Sequence, residues 1–93
     1  MGKLHIKEIQ HKYFEDILRR KKRFEIREND CDYQVGDFVI LVEYDGEKSM
    51  NNFVLVEITY VLKDIPQYGL DKDYCIFSFE TIGINNIRKT KII

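Results

Sequence analysis

Hydrophobic and polar positions along the chain change period once, early, and then keep to a period of two. Leu4 to Ile9 alternates, with Leu4 and Ile6 set against His5 and Lys7, and predicts a first strand. From Gln10 to Lys21 the period lengthens. Tyr13, Phe14, Ile17 and Leu18 form one apolar stripe, and Lys12, Glu15, Asp16, Arg19 and Arg20 lie off it, which predicts a helix. Its basic last turn suits the negative end of the helix dipole. Arg23 to Glu28 returns to alternation: Phe24 and Ile26 point one way, and Arg23, Glu25 and Arg27 the other. Phe38 to Tyr44 is almost continuously apolar and reads as a strand covered on both faces, or as a barrel strand. Asp45-Gly46 and the polar stretch to Asn52 form a hairpin connection. In Phe53 to Leu62, the side chains of Val54, Val56, Ile58, Tyr60 and Leu62 are expected on one face, opposite Glu57 and Thr59. A loop with Pro66 and Gly69 follows, then a last strand from Tyr74 to Thr81 with Cys75, Phe77 and Phe79 together. Ile82, Ile84, Ile87, Ile92 and Ile93 show no clean period and are expected as a tail or an extra strand.

The order is β-α-β-β-β-β, an α+β arrangement. Five or six twisted strands with one main helix cannot make a doubly wound parallel sheet. The economical solution is a small mixed or antiparallel β-barrel closed by the helix. The 93 residues suffice for one core, expected over about residues 3–82. Disorder is excluded, because 44% hydrophobic residues offset ordering entropy. No apolar run approaches the ~20 residues of a membrane span, and the first residues lack a signal-peptide core. Cys31 and Cys75 are an isolated pair far apart in sequence and read as reduced thiols, so a cytoplasmic protein without a membrane partner is expected.

Charge alters the picture by its distribution. The net charge of -1 conceals nine Lys/Arg against four acids in residues 1–27, and twelve acids against three lysines in residues 28–80. The protein is therefore no general polyanion binder, but it can present one local basic surface. The densest run is Arg19-Arg20-Lys21-Lys22-Arg23, continuing to Glu25 and Arg27. It crosses a predicted helix–strand junction. A carboxylate between two guanidinium groups orients them, and held Arg forks suit phosphate or nucleobase recognition.

Lys22-Arg23-Phe24-Glu25-Ile26-Arg27 resembles the signature of the ASCH domain superfamily, G-x-K-x-x-E-x-R. Asn29-Asp30, Tyr33-Gln34-Val35-Gly36-Asp37 and Glu43-Tyr44-Asp45 follow in the order of a short bacterial and phage branch of that superfamily, described chiefly as domains of unknown function. The resemblance covers about residues 3–80 and implies a PUA-like fold, a small barrel with a flanking helix. It implies that Lys22, Glu25 and Arg27 line a cleft receiving RNA or a nucleotide-like ligand, with Arg20, Lys21 and Arg23 on phosphates. The signature glycine falls at Arg20, so Arg20 is expected either to tolerate another backbone geometry or to leave the helix differently.

Some ASCH proteins resemble small amidohydrolases of acylated cytidine, with a lysine activator, a threonine nucleophile and a later acid. Lys22 matches the lysine, whereas Glu25 stands where the threonine would be, and a carboxylate does not replace a hydroxyl nucleophile. If hydrolysis occurs, Lys22 and Glu25 would activate water, with Asp71, Asp73 or Glu80 as the late acid.

Among the tyrosines, Tyr33 beside the polar loop and Tyr68 in the long loop are the stacking candidates for an unpaired base. His5 and His11 are expected to be exposed. No H-x-x-x-H or C-x-x-C pattern occurs, Asp30-Cys31-Asp32 lacks supporting groups, and no glycine-rich phosphate loop exists, so neither metal nor cofactor is expected. The leading expectation is an RNA- or nucleotide-binding module. Deacylation of a modified nucleoside at the same cleft is second, and a charge-driven protein-interaction accessory third.

Overall fold

A computed structural model describes residues 2–85. Seven elements follow in order: β1 (Leu4–Gln10), α1 (His11–Leu18), β2 (Phe24–Glu28), β3 (Phe38–Tyr44), β4 (Ser49–Leu62), a 3-10 turn (Pro66–Tyr68) and β5 (Tyr74–Asn85). The five strands form one mixed sheet in the order β1-β3-β4-β5-β2. Only the β1–β3 pair is parallel; the other pairs are antiparallel. The sheet curls so far that its two edge strands face each other, and Arg27 on β2 donates to the Glu8 carbonyl on β1 at 2.7 Å. This is a half-barrel whose open seam runs between β1 and β2. α1 lies over β1 and β3 and inserts Phe14 and Ile17, both fully buried.

The core consists of those two residues with Ile9, Tyr33, Val39, Leu41, Val54, Val56, Ile58, Cys75, Phe77 and Phe79. β3 alternates between buried and half-buried positions, so of the two readings of the apolar run the structure shows a strand of a curled sheet with one fully covered face, not one covered on both. In β4 the expected face also breaks. Val54, Val56 and Ile58 are buried, but Tyr60 is 62% exposed and Leu62 37%. The register against β5 shifts between Ile58 and Tyr60, so Thr59 is an extra residue that turns the following side chains over. Val61, on the opposite parity, packs against the core instead.

β1 brings a second correction. Leu4 and Ile6 face outward, and His5 is buried rather than exposed. The parallel register sets His5 beside Val39, on the inward side of the sheet. There His5 Nε2 lies 2.8 Å from Asp37 Oδ2, and its ring meets Tyr33. Asp37 also accepts from the backbone N–H of Lys3 at 2.9 Å and of Gln34 at 3.1 Å. Burial pushes the Asp37 carboxyl up, but the His5 contact and these two N–H groups outweigh it and hold the group below the usual carboxylate range. A depressed folded value stabilises the protein above the unfolded value of about 4 and is lost as pH falls through the folded one. Urea unfolding of the wild type should therefore show an acid limb below about pH 4 that Asp37→Asn flattens; an unchanged limb would assign it to other carboxylates.

The helix ends earlier than expected, at Leu18, and its exit explains how the chain manages without glycine. Arg20 adopts φ 63, the left-handed conformation. Its N–H donates to the Ile17 carbonyl at 3.0 Å, and the Lys21 N–H donates to Asp16 at 2.9 Å. This is a Schellman motif with arginine at the position glycine normally holds. Of the two outcomes expected at Arg20, the chain does not leave the helix differently: it follows the glycine path, taken by a residue that is strained in it. β4 starts earlier than expected and β5 continues to Asn85, taking in Ile82 and Ile84. Ile87, Ile92 and Ile93 lie outside the described residues.

Candidate ligand-binding seam

Strand β2 carries the polar centre of the molecule because its pattern is inverted. Phe24 and Ile26 are about half exposed, while Glu25 between them is buried. The alternation read from the sequence holds, and it is the carboxylate that faces inward. Two cations meet it there. Lys22 Nζ contacts Glu25 Oε2 and also donates to the Phe24 carbonyl. Arg27 Nε donates to Glu25 Oε1 at 2.9 Å. The same guanidinium then reaches across the seam to Glu8, so the Glu25 carboxylate aligns the group that links both edges of the sheet. Lys22 is further enclosed by aromatic rings, 4.9 Å from the Phe24 centroid and 5.4 Å from that of Tyr13.

Beside this trio the seam opens into a cleft of about 410 Å³. Its walls are Lys7–Gln10 of β1 and Glu25–Glu28 of β2, with Tyr13, Asp30, Tyr33 and Tyr74 completing it. Both walls are strand edges, which present backbone donors and acceptors not used by a neighbouring strand. Lys7 and Arg27 line it together with four carboxylates, those of Glu8, Glu25, Glu28 and Asp30. Lys7 lies 3.5 Å from Asp30 and holds its carboxyl below the usual range. A second hollow of about 260 Å³ has the opposite character: Arg20, Lys22 and Arg23 against the single carboxylate of Glu80, with Ile17, Phe79 and Thr81. Lys22 lines this hollow and, through Glu25, adjoins the cleft.

The residues singled out in the sequence are therefore divided. Lys22, Glu25 and Arg27 come together; Arg20 and Arg23 join Lys22 in the basic hollow; Lys21 is exposed and lines neither. Tyr33 forms part of the cleft's wall, but it is 1% exposed and its ring packs between His5 and Phe77. Burial, and then a Cys31 hydrogen bond, push its phenol far above the usual range. It is a core residue with one edge at the cleft. Tyr68, 79% exposed on the 3-10 turn, lines none of these spaces. Of the candidate late acids, Glu80 lies beside Lys22 and Arg20, while Asp71 and Asp73 do not. Cys31 and Cys75 are free thiols, and burial pushes that of Cys75 up. Glu8, Tyr13 and Tyr74 were missed: closure of the sheet brings Glu8 to Arg27, the helix sets Tyr13 against Lys22, and the β2–β5 pairing puts Tyr74 opposite Glu28. Among the described residues one group has metal-ligand chemistry: His11, Glu15 and Glu43.

The fold and this site define a small α+β protein, a five-stranded half-barrel with one helix and a polar seam. The chain belongs to the family described as a domain of unknown function (DUF3850), which matches residues 4–79. It is also similar to an uncharacterized 12.9 kDa protein in the GpA 3' region of Escherichia phage P2, with 43% identity over 44 residues. That stretch is 47% of this chain and 40% of the phage protein. Among the described residues, no helix is long and apolar enough to cross a membrane.

Proposed function

We propose that the chain is an RNA- or nucleotide-binding module of the ASCH/PUA-like kind, with the seam as its ligand site. One observation carries this: a buried carboxylate holds an arginine in a concavity whose walls are exposed strand edges and a lysine in the basic hollow beside it. The division of charge suggests how a nucleotide would lie. Two cations against four carboxylates make the cleft unsuited to phosphate. Its backbone groups and tyrosines suit the hydrogen-bonding edge and flat face of a base. The phosphate belongs in the basic hollow, on Arg20, Lys22 and Arg23. The deacylase reading is weaker on this geometry, because each oxygen of Glu25 already holds a cation and Glu25 occupies the nucleophile's position.

Filter binding with short RNAs and with single nucleotides tests the proposal. Affinity should fall with salt, by a logarithmic slope of about 0.7 per phosphate contacted, and Arg27→Ala should cost about 1–3 kcal/mol of binding. Arg20→Gly separates the two roles of that residue. It should raise stability by up to about 1 kcal/mol by relieving the left-handed strain, while weakening binding and reducing the salt slope. Absent or salt-insensitive binding to every RNA and nucleotide tried would remove the proposal. Turnover of acylated cytidine that is lost in Lys22→Ala would replace it with the hydrolase.

A further inference from the structure

Glu43 is where the inward face of β3 departs from its own pattern. Val39 and Leu41 precede it on that face, and Glu43 is as fully buried as they are. A carboxylate out of water is costly unless charges and hydrogen bonds around it compensate. The β3–β4 register shifts between Val42 and Tyr44, and this irregularity falls at Glu43. Asn52 Nδ2 donates to Glu43 Oε1 at 3.0 Å, and His11 Nδ1 meets the other oxygen, Oε2. Glu15 stands one helical turn beyond His11 on the same side of α1. One donor atom from each of His11, Glu15 and Glu43 lies within 4.8 Å of the others. Arg19, itself exposed, lies 3.9 Å from Glu15.

We propose that His11 Nδ1 and the carboxylates of Glu15 and Glu43 bind one divalent first-row metal ion. One imidazole with two carboxylates is a mixed nitrogen–oxygen set that suits Zn²⁺ or Mn²⁺ better than Mg²⁺, which prefers oxygen ligands and retains its waters. Asn52 holds the second oxygen of Glu43 and fixes its orientation, the usual task of an outer hydrogen bond at a metal. Three protein ligands leave positions for water or a substrate oxygen. The open side is that of His11, whose side chain is 48% exposed. A hollow of about 410 Å³ adjoins it, lined by Gln10, His11, Lys12, Tyr44, Asp45 and Gly46. The expectation of no metal rested on motifs contiguous in sequence, whereas Glu43 comes from a different element. The site shares no residue with the Lys22–Glu25–Arg27 trio, so either proposal can fail alone.

Metal-free full-length protein is titrated calorimetrically with Zn²⁺, Mn²⁺ and Mg²⁺ separately. The expected result is one ion per chain, bound in the order Zn²⁺ over Mn²⁺ over Mg²⁺, with a thermal midpoint that rises as Zn²⁺ is added. His11→Ala and Glu15→Gln, both on the outer parts of α1, should each weaken Zn²⁺ and Mn²⁺ at least about tenfold with unchanged circular dichroism. Absence of binding, or binding that survives either substitution, overturns the proposal. Zn²⁺ binding lost only in Cys31→Ser would place the ion on thiols and overturn it as well.

Discussion

Glu25→Ala should lower the unfolding free energy by about 3 kcal/mol, the lower end of the range for removing one partner of a buried ion pair. The substitution leaves two cations, Lys22 and Arg27, with side chains only 14% and 19% exposed and no carboxylate between them. Water entering the cleft can solvate part of that charge, which is why the lower end applies. The consequence reaches beyond the pair. Once Arg27 Nε loses its acceptor, the guanidinium that joins β2 to Glu8 is no longer aligned, and the seam loses its cross-link. Urea unfolding should show a lower midpoint with the slope unchanged, and amide exchange should rise first along the facing edges of β1 and β2. Glu25→Gln, which still accepts hydrogen bonds, should lose roughly half as much. A loss below about 1 kcal/mol for Glu25→Ala would mean that the trio behaves as an ordinary surface ion pair.

Much of this site was legible because it is local. Lys22, Glu25 and Arg27 occupy one turn exit and one short strand, so period-two alternation alone places Glu25 and Arg27 on a common face. The basic run also marks where the helix ends, although the end comes at Leu18 because Arg20 accepts a left-handed backbone that residue type alone does not announce. What could not be read was whatever depends on closure of the sheet. Glu8 reaches Arg27 only because β1 and β2, separated by α1 in sequence, become opposite edges of the same rolled sheet. His5 reads as an exposed polar residue until the parallel β1–β3 register turns it toward Asp37. Tyr60 and Leu62 continue a flawless alternation, yet one extra residue at Thr59 reverses them. A bulge has no signature in a hydrophobic period, because it changes the count and leaves the residue types alone. The bulge leaves Tyr60 and Leu62 on the outer face of the sheet, where β2's own alternation already places Phe24 and Ile26.

The largest loss is expected from Phe14→Ala, about 3–5 kcal/mol, the range for truncating a fully buried aromatic side chain. Against a total of about 5–15 kcal/mol for a domain, this leaves the variant near the edge of folding. The reason lies in how the helix is held. α1 has eight residues, too few to be stable in isolation, and of these only Phe14 and Ile17 are buried. Removing the larger anchor frees the element that delivers His11 and Glu15 to Glu43, sets Tyr13 against Lys22 and fixes the exit at Arg20. Loss of stability should therefore come with loss of binding at both proposed sites. Phe14→Leu, which keeps most of the volume, should cost about 1 kcal/mol and leave both nearly intact. Tyr13→Ala provides the contrast from the next position on the same helix. That side chain is 38% exposed, so its removal should cost little stability and affect only the cleft. Thermal and urea unfolding of the three variants, with nucleotide and Zn²⁺ titrations on those that fold, checks the order. If Phe14→Ala were as mild as Tyr13→Ala, the helix would be anchored by something other than its apolar stripe, and the preorganisation argued for both sites would lose its physical basis.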